Sequence, residues 1–113
     1  MSDKPNLIVD LTFSFSLKII DFTEELESKR KFNMANQLFK SGTSIGANVC
    51  EAQGAESKAD FKHKCKIAYK EAGETEYWLK LCKHAKNYPF EQSMLDDVQS
   101  IIKILGKIIS STK

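Results

Sequence analysis

Apolar residues recur at steps of three and four between Pro5 and Pro89, and again after Pro89. This spacing is the periodicity of an α-helix, whereas strands alternate every second residue. The pattern therefore predicts an all-α chain with four helices, at about residues 6–28, 33–53, 57–86 and 90–110. No linker or internal repeat interrupts the pattern, so residues 1–113 are expected to form a single domain.

Capping residues support three of these boundaries. Asn33 is the expected N-cap of the second helix, and Gly54 suits its C-terminal cap. Ser57, with Asp60 three residues later, forms a weak version of the capping box at the start of the third helix. The third helix is expected to break at residues 87–89, Asn-Tyr-Pro.

Each predicted helix carries one apolar stripe. The stripe of the first helix comprises Ile8, Leu11, Phe15, Ile19, Phe22 and Leu26, and that of the second Ala35, Leu38, Gly42, Ile45 and Val49. The stripe of the third helix comprises Phe61, Cys65, Ala68, Ala72, Thr75, Leu79 and Cys82, and that of the fourth Val98, Ile101, Ile102, Leu105, Ile108 and Ile109. Steps of four and three are typical of helices packed nearly parallel to their neighbours, and short connections make consecutive helices antiparallel. The sequence predicts an up-down-up-down four-helix bundle.

Two glycines lie inside the second predicted helix. Gly42 and Gly46 each cost about 1 kcal/mol relative to alanine at a helix-interior position. A close crossing with a neighbouring helix would explain both, and charged residues such as Lys40 and Glu51 exclude a membrane helix here.

Composition excludes several other classes of protein. Of 113 residues, 42% are apolar and three are cysteines, too many apolar residues for a disordered chain and too few cysteines for a disulfide scaffold. The sequence has no apolar run of the roughly 18 residues that a membrane span needs and no signal peptide, so a cytoplasmic protein without membrane contact is expected. Cys50, Cys65 and Cys82 are expected to be reduced core or near-core residues.

A second apolar stripe on the first helix suggests self-association. Val9, Phe13, Leu17 and Ile20 lie roughly opposite the first stripe, and Trp78 lies off the stripe of the third helix. A helix in a four-helix bundle buries one face, so these residues are predicted to contact another subunit. The alternative is a distorted bundle that buries a wider arc.

Residues 41–61, SGTSIGANVCEAQGAESKADF, are followed by IAYKEA at 67–72 and EYWL at 76–79. Over nearly the whole chain, and most specifically at TSIGANV (43–49), the sequence resembles a bacterial four-helix-bundle family. That family includes proteins encoded by intervening sequences in large-subunit ribosomal RNA genes, and the accessory variability protein of diversity-generating retroelements is similar. The resemblance implies an antiparallel bundle assembled as a homopentamer, with a proposed role in nucleic-acid binding and no catalytic residues to carry over.

Lysines cluster on the third helix. Residues 57–86 hold eight lysines and four acidic residues, and Lys29, Arg30 and Lys31 follow the first helix. Tyr69 and Tyr77 could stack on bases beside these lysines. The predicted nucleic-acid contacts are Lys29, Arg30, Lys31, Lys58, Lys62, Lys66 and Lys70. The alternative is a solvated lysine face, in keeping with a net charge of only +2.

Catalytic chemistry is not expected from these residues. On the second helix Gln37, Ser41, Ser44, Asn48 and Glu51 share a polar side, where Glu51 could act as a base and Ser44 as a nucleophile. No third group orients the base and no glycine-rich phosphate loop occurs, so hydrogen bonds between helices or subunits are the better interpretation. No metal or other cofactor is expected.

The sequence thus predicts a non-enzymatic homo-oligomer that binds RNA, more specifically structured RNA or a ribonucleoprotein. The competing hypothesis is a protein-interaction scaffold, for example an accessory subunit of a reverse transcriptase. An enzyme ranks third.

Overall fold

Four helices form the chain in a computed structural model that describes residues 6–113. They are α1 (Leu7–Ser28), α2 (Phe32–Gln53), α3 (Lys58–His84) and α4 (Gln92–Ser111), and no strand occurs within residues 6–113. The predicted all-α class is confirmed. Residues 1–5, which the predicted domain also included, lie outside the described residues.

Packing follows the order of the chain. α1 contacts α2 and α4, and α3 contacts α2 and α4, with the least contact between α1 and α4. The short connections make consecutive helices antiparallel, as predicted for an up-down-up-down bundle. Residues 29–31 and 85–91 therefore lie together at one end of a body 45 Å long, here called the two-loop end. The connection 54–57 lies at the opposite end.

The core is built mainly from the predicted stripes. Every predicted stripe residue of α2 is buried, whereas Leu11, Phe61, Ile102, Ile108 and Ile109 are only half-buried. The sequence analysis missed Met94 and Leu95, buried in the first turn of α4, and four buried hydroxyl residues, Thr12, Thr23, Ser41 and Thr75. Thr12 and Thr23 donate hydrogen bonds to carbonyls of their own helices, and Thr75 donates to Ser41 of α2, which lowers the cost of burying these residues.

The two α2 glycines lie at a close crossing with α1, as predicted. A Cβ placed on Gly42 would lie 2.7 Å from both Cγ1 and Cδ1 of Ile19. At Gly46 the nearest atoms would be Ser16 Oγ and the Thr12 carbonyl oxygen, each at 3.2 Å. Glycine thus allows the two backbones to approach.

The prediction of Asn33 as an N-cap is wrong, because α2 begins at Phe32 after Lys31. Arg30 adopts a positive φ of 64°. The backbone N–H groups of Arg30 and Lys31 then bond to the carbonyls of Glu27 and Leu26, each at 2.8 Å. These two hydrogen bonds end α1 in a tight turn, and α2 begins directly after it.

Other boundaries differ by a few residues. α3 ends at His84, before Lys86, because Ala85 is extended. α4 begins at Gln92 because Glu91 is still extended. Ser57 caps α3 as predicted, accepting from the backbone N–H of Asp60 at 3.0 Å, and Gly54 occupies the C-cap position of α2.

The cysteines divide into two kinds. Cys65 and Cys82 are buried, whereas Cys50 is exposed on α2, which corrects the expectation for that residue. Burial raises the pKa of the Cys65 thiol, and raises that of Cys82 to about 11. Both buried thiols therefore stay protonated and poorly nucleophilic at neutral pH.

Candidate functional site

Four lysines spaced one turn apart run along α3, and we call Lys58, Lys62, Lys66 and Lys70 the lysine ribbon. Successive members lie about 6 Å apart along the helix axis, so the ribbon extends about 18 Å. Lys62 is half-buried and the other three are exposed. Within residues 6–113 none of the four forms an ion pair, whereas Lys64 binds Glu51 at 3.0 Å.

Few acidic residues lie along the ribbon before its last member, Lys70, which is followed by Glu71 and Glu74 and lies close enough to act electrostatically on Glu71. Asp60 is the one acidic residue in positions 58–70, and its carboxylate lies 3.4 Å from the backbone nitrogen of Glu56 at the helix start. The nearby rings of Tyr69 and Tyr77 are 42% and 57% exposed. Unpaired amines beside accessible aromatic rings can contact both the phosphates and the bases of a nucleic acid.

The second predicted basic group lies elsewhere. Lys29, Arg30 and Lys31 are at the two-loop end, whereas Lys58 starts α3 at the opposite end, and a helix of 27 residues spans about 40 Å. Lys31 Nζ lies 4.7 Å from the centre of the Tyr88 ring. Lys29 lines a cavity of about 500 Å³ that also has two carboxylates, Glu25 and Glu91. The predicted phosphate surface is therefore divided into two separate groups of residues.

An apolar surface covers α1 and α2. The predicted residues Phe13, Leu17 and Ile20 are 63%, 51% and 38% exposed, and Phe39 of α2 is 48% exposed. Two recesses between the helices, of about 140 and 340 Å³, adjoin Phe13 and Phe39 respectively, and Cys50 lines the smaller one. We call this surface, with Phe13, Leu17, Ile20, Phe39 and Cys50, the α1–α2 face. The sequence analysis missed the part contributed by α2.

The other two predicted interface residues are less accessible. Val9 and Trp78 are half-buried and pack against the core. Trp78 Nε1 is fully buried with no hydrogen-bond partner in the described part of the chain. The ring of Trp78 meets that of Tyr77 edge-on, with centroids 5.4 Å apart. These two residues are therefore less accessible than Phe13, Leu17 and Ile20.

The polar side of α2 is engaged mostly in bonds to α3 and to its own backbone. Ser41 is buried and accepts a hydrogen bond from Thr75 of α3 at 2.8 Å, a bond between helices as expected for this polar side. Ser44 donates to the Lys40 carbonyl at 2.6 Å, and Glu51 accepts from Lys64 of α3 at 3.0 Å. Ser44 and Glu51 are thus not hydrogen-bonded to each other, and the structure does not assemble the nucleophile and base considered from sequence.

Comparison with known proteins identifies the family. The model of the 23S rRNA-intervening sequence protein family matches residues 4–111. The chain belongs to this family. Its fold is also similar to the crystal structure of a protein of unknown function from the S23 ribosomal protein family of Bacteroides thetaiotaomicron. The two share 41% sequence identity over 92% of this chain and 99% of that chain, with a TM-score of 0.87. No curated protein matches the chain significantly.

Membership in the family confirms the resemblance carried by residues 41–61. The pentameric assembly, the RNA ligand and the lack of enzymatic activity stay predictions. None of the four described helices combines the length and hydropathy needed to cross a membrane.

Proposed function

We propose that this protein is a non-enzymatic, cytoplasmic homo-oligomer that binds RNA through the lysine ribbon. The observation that carries the proposal is a row of four lysines that form no ion pair within residues 6–113, next to two exposed tyrosines. Phosphate groups would supply the missing negative charge. Three free cysteines are in keeping with a reducing compartment.

RNA is favoured over a specific DNA sequence for two reasons. The family description associates its members with 23S rRNA. In addition, α3 is packed on both sides by α2 and α4, so it is not presented as a free recognition helix for the DNA major groove. A structured RNA with accessible loops, or a ribonucleoprotein, fits the ribbon better.

Replacing Lys58, Lys62, Lys66 and Lys70 with glutamine is expected to weaken RNA binding and to flatten its salt dependence. Each phosphate contact on a single strand contributes about −0.7 to the slope of log K against log salt, so four contacts contribute about −3. Binding in several subunits would steepen the slope of the unaltered protein further. Fluorescence anisotropy with a labelled RNA at several salt concentrations measures both quantities.

The matched control replaces Lys18, Lys40, Lys86 and Lys113 with glutamine. These exposed lysines lie off α3, and the control lowers the net charge by the same four units from +2. This control variant should keep most of the slope of log K against log salt. Equal slopes in both variants would mean that net charge alone matters, and an unaltered slope in the ribbon variant would identify the ribbon as a solvated surface.

For the assembly we propose that the α1–α2 face contacts a second copy of the chain. The face has both projecting rings, Phe13 and Phe39, and recesses of about 140 and 340 Å³ beside them. The family resemblance implies five copies. In a closed ring of five, each contact joins two different surfaces, so the rings and recesses of this face would pack against another surface of the neighbouring copy.

Phe13→Glu is expected to reduce the assembly to smaller species, because a charge in the contact would be buried without a partner. Light scattering at micromolar concentration measures the mass. Ser14→Glu is the control, since it adds the same charge about 100° around α1. Cys50 provides a second measurement: it should react slowly with a thiol reagent in the assembly and quickly in Phe13→Glu, while the protonated thiols of Cys65 and Cys82 react in neither.

A monomeric mass for the unaltered protein would contradict the assembly. In that case the α1–α2 face would be free for a different protein, which is the scaffold hypothesis, with a reverse transcriptase as one example of a partner. The salt dependence of the binding affinity distinguishes this hypothesis from RNA binding, because apolar protein contacts release no counterions.

A further inference from the structure

A cavity of about 310 Å³ opens between α3 and α4 beside the lysine ribbon. Its lining comprises Lys66 and Tyr69 from α3, and Gly106, Ile109 and Ser110 from α4. We infer that this cavity accepts one unpaired nucleobase of a single-stranded RNA segment, stacked on Tyr69, while Lys66 contacts the adjoining phosphate. The inference rests on the proposed RNA binding and names the part of the RNA that the protein recognises.

Gly106 keeps the cavity open. A Cβ at this position would lie 3.7 Å from Cε1 of Tyr69, an ordinary van der Waals distance, so the packing of α4 tolerates a side chain here. Without one, the Tyr69 ring stays 42% exposed next to the α4 backbone. The missing side chain therefore leaves accessible space against an aromatic ring.

The lining is mainly apolar, which suits the flat π faces of a nucleobase, and it has a few polar atoms at its rim. A base has flat π faces and a polar edge; Tyr69 and Ile109 offer apolar surface, while the tyrosine and Ser110 hydroxyls offer polar atoms. The Ser110 hydroxyl donates to the Lys107 carbonyl at 3.2 Å, which leaves its oxygen able to accept from a base. Lys66 places a positive charge at the rim, as an attached phosphate requires.

Only an unpaired base can enter such a site. In a duplex the bases are stacked within the helix, so proteins that stack an aromatic ring on RNA bind loops, bulges and single strands. A duplex could still contact the ribbon through its phosphates. The inference thus predicts that single-stranded and duplex RNA respond differently to changes in the cavity.

The test compares a labelled single-stranded oligonucleotide with its blunt duplex, using Gly106→Leu to fill the cavity and Tyr69→Leu to remove the ring. Both should lower single-strand affinity about 5- to 150-fold, which corresponds to the roughly 1 to 3 kcal/mol that one base stacked on an aromatic ring contributes, and leave duplex affinity unchanged. Both retain every lysine, so the salt slope should not change. Phe32→Leu removes a more exposed aromatic ring, at the start of α2 and outside the cavity, and should change affinity less than about twofold.

Three results would overturn the inference: unaltered single-strand binding in Gly106→Leu and Tyr69→Leu, equal losses in Tyr69→Leu and Phe32→Leu, or a changed oligomeric mass in Gly106→Leu, which would make the cavity a subunit contact. The ribbon variant separates this failure from that of the proposed function. If its four glutamines abolish binding while the cavity variants do not, RNA binding stands and the base site alone is rejected.

Discussion

Gly42→Ala is expected to lower the free energy of unfolding by about 1 to 3 kcal/mol, although alanine is the better helix former. The added Cβ would lie 2.7 Å from two side-chain atoms of Ile19, which is fully buried in the hydrophobic core. Overpacking at the crossing of α1 and α2 therefore outweighs the gain in helix propensity, which is about 1 kcal/mol.

Gly73→Ala is the matched control and should have the opposite sign. Gly73 lies inside α3, and a Cβ placed there would have no atom within 4 Å. Only the gain in helix propensity remains, so the free energy of unfolding should rise by about 0.5 to 1 kcal/mol. Urea denaturation of both variants at one fixed protein concentration gives the comparison, because the stability of an oligomer depends on concentration. Stabilisation by both substitutions would contradict the close crossing at Gly42.

Thr75→Val is expected to destabilise the protein by about 1 to 3 kcal/mol, although the two side chains have nearly the same shape. Thr75 Oγ lies 2.8 Å from Ser41 Oγ, and both residues are buried between α2 and α3. Valine would leave the Ser41 hydroxyl without this partner in the core. Ser41→Ala should cost less, because the Thr75 hydroxyl can donate instead to the Glu71 carbonyl at 2.8 Å.

A double-mutant cycle measures this coupling. The double variant Ser41→Ala, Thr75→Val should lose less stability than the two single variants added together, because it leaves neither hydroxyl unpaired. Additive losses in the urea denaturation midpoint would mean that the two hydroxyls do not depend on each other, and that the 2.8 Å contact contributes nothing specific to the packing of α2 against α3.

Much of the fold could be predicted because it depends on residues that lie close together in the sequence. The period of the apolar residues depends on the geometry of a single helix, so the four helices and most buried positions follow from spacing alone. The Ser57 cap also depends only on residues close in the chain. Gly42 and Gly46 could be recognised because glycine inside a helix is costly unless another helix approaches.

The candidate sites could be predicted only in part. The ribbon was found because its lysines share one helix, whereas Lys29 and Lys58 were grouped although the fold places them near opposite ends of the bundle. Phe39 was not assigned to the apolar surface, since its neighbours there belong to α1. No pattern in the sequence indicates the cavity at Gly106, because the cavity forms between residues about 40 positions apart in the chain.

The sequence by itself determined the number of helices, their approximate ends and the side of each that is apolar, because these properties depend on contacts within a few residues. Only the tertiary structure decided that Ser41 is buried, that Cys50 is exposed, that Val9 and Trp78 lie half against the core, and that Arg30 adopts a positive φ. Each of these depends on what a neighbouring helix or the closing turn places beside the residue. A helical period cannot specify that neighbour, since the same stripe can pack at several angles and depths.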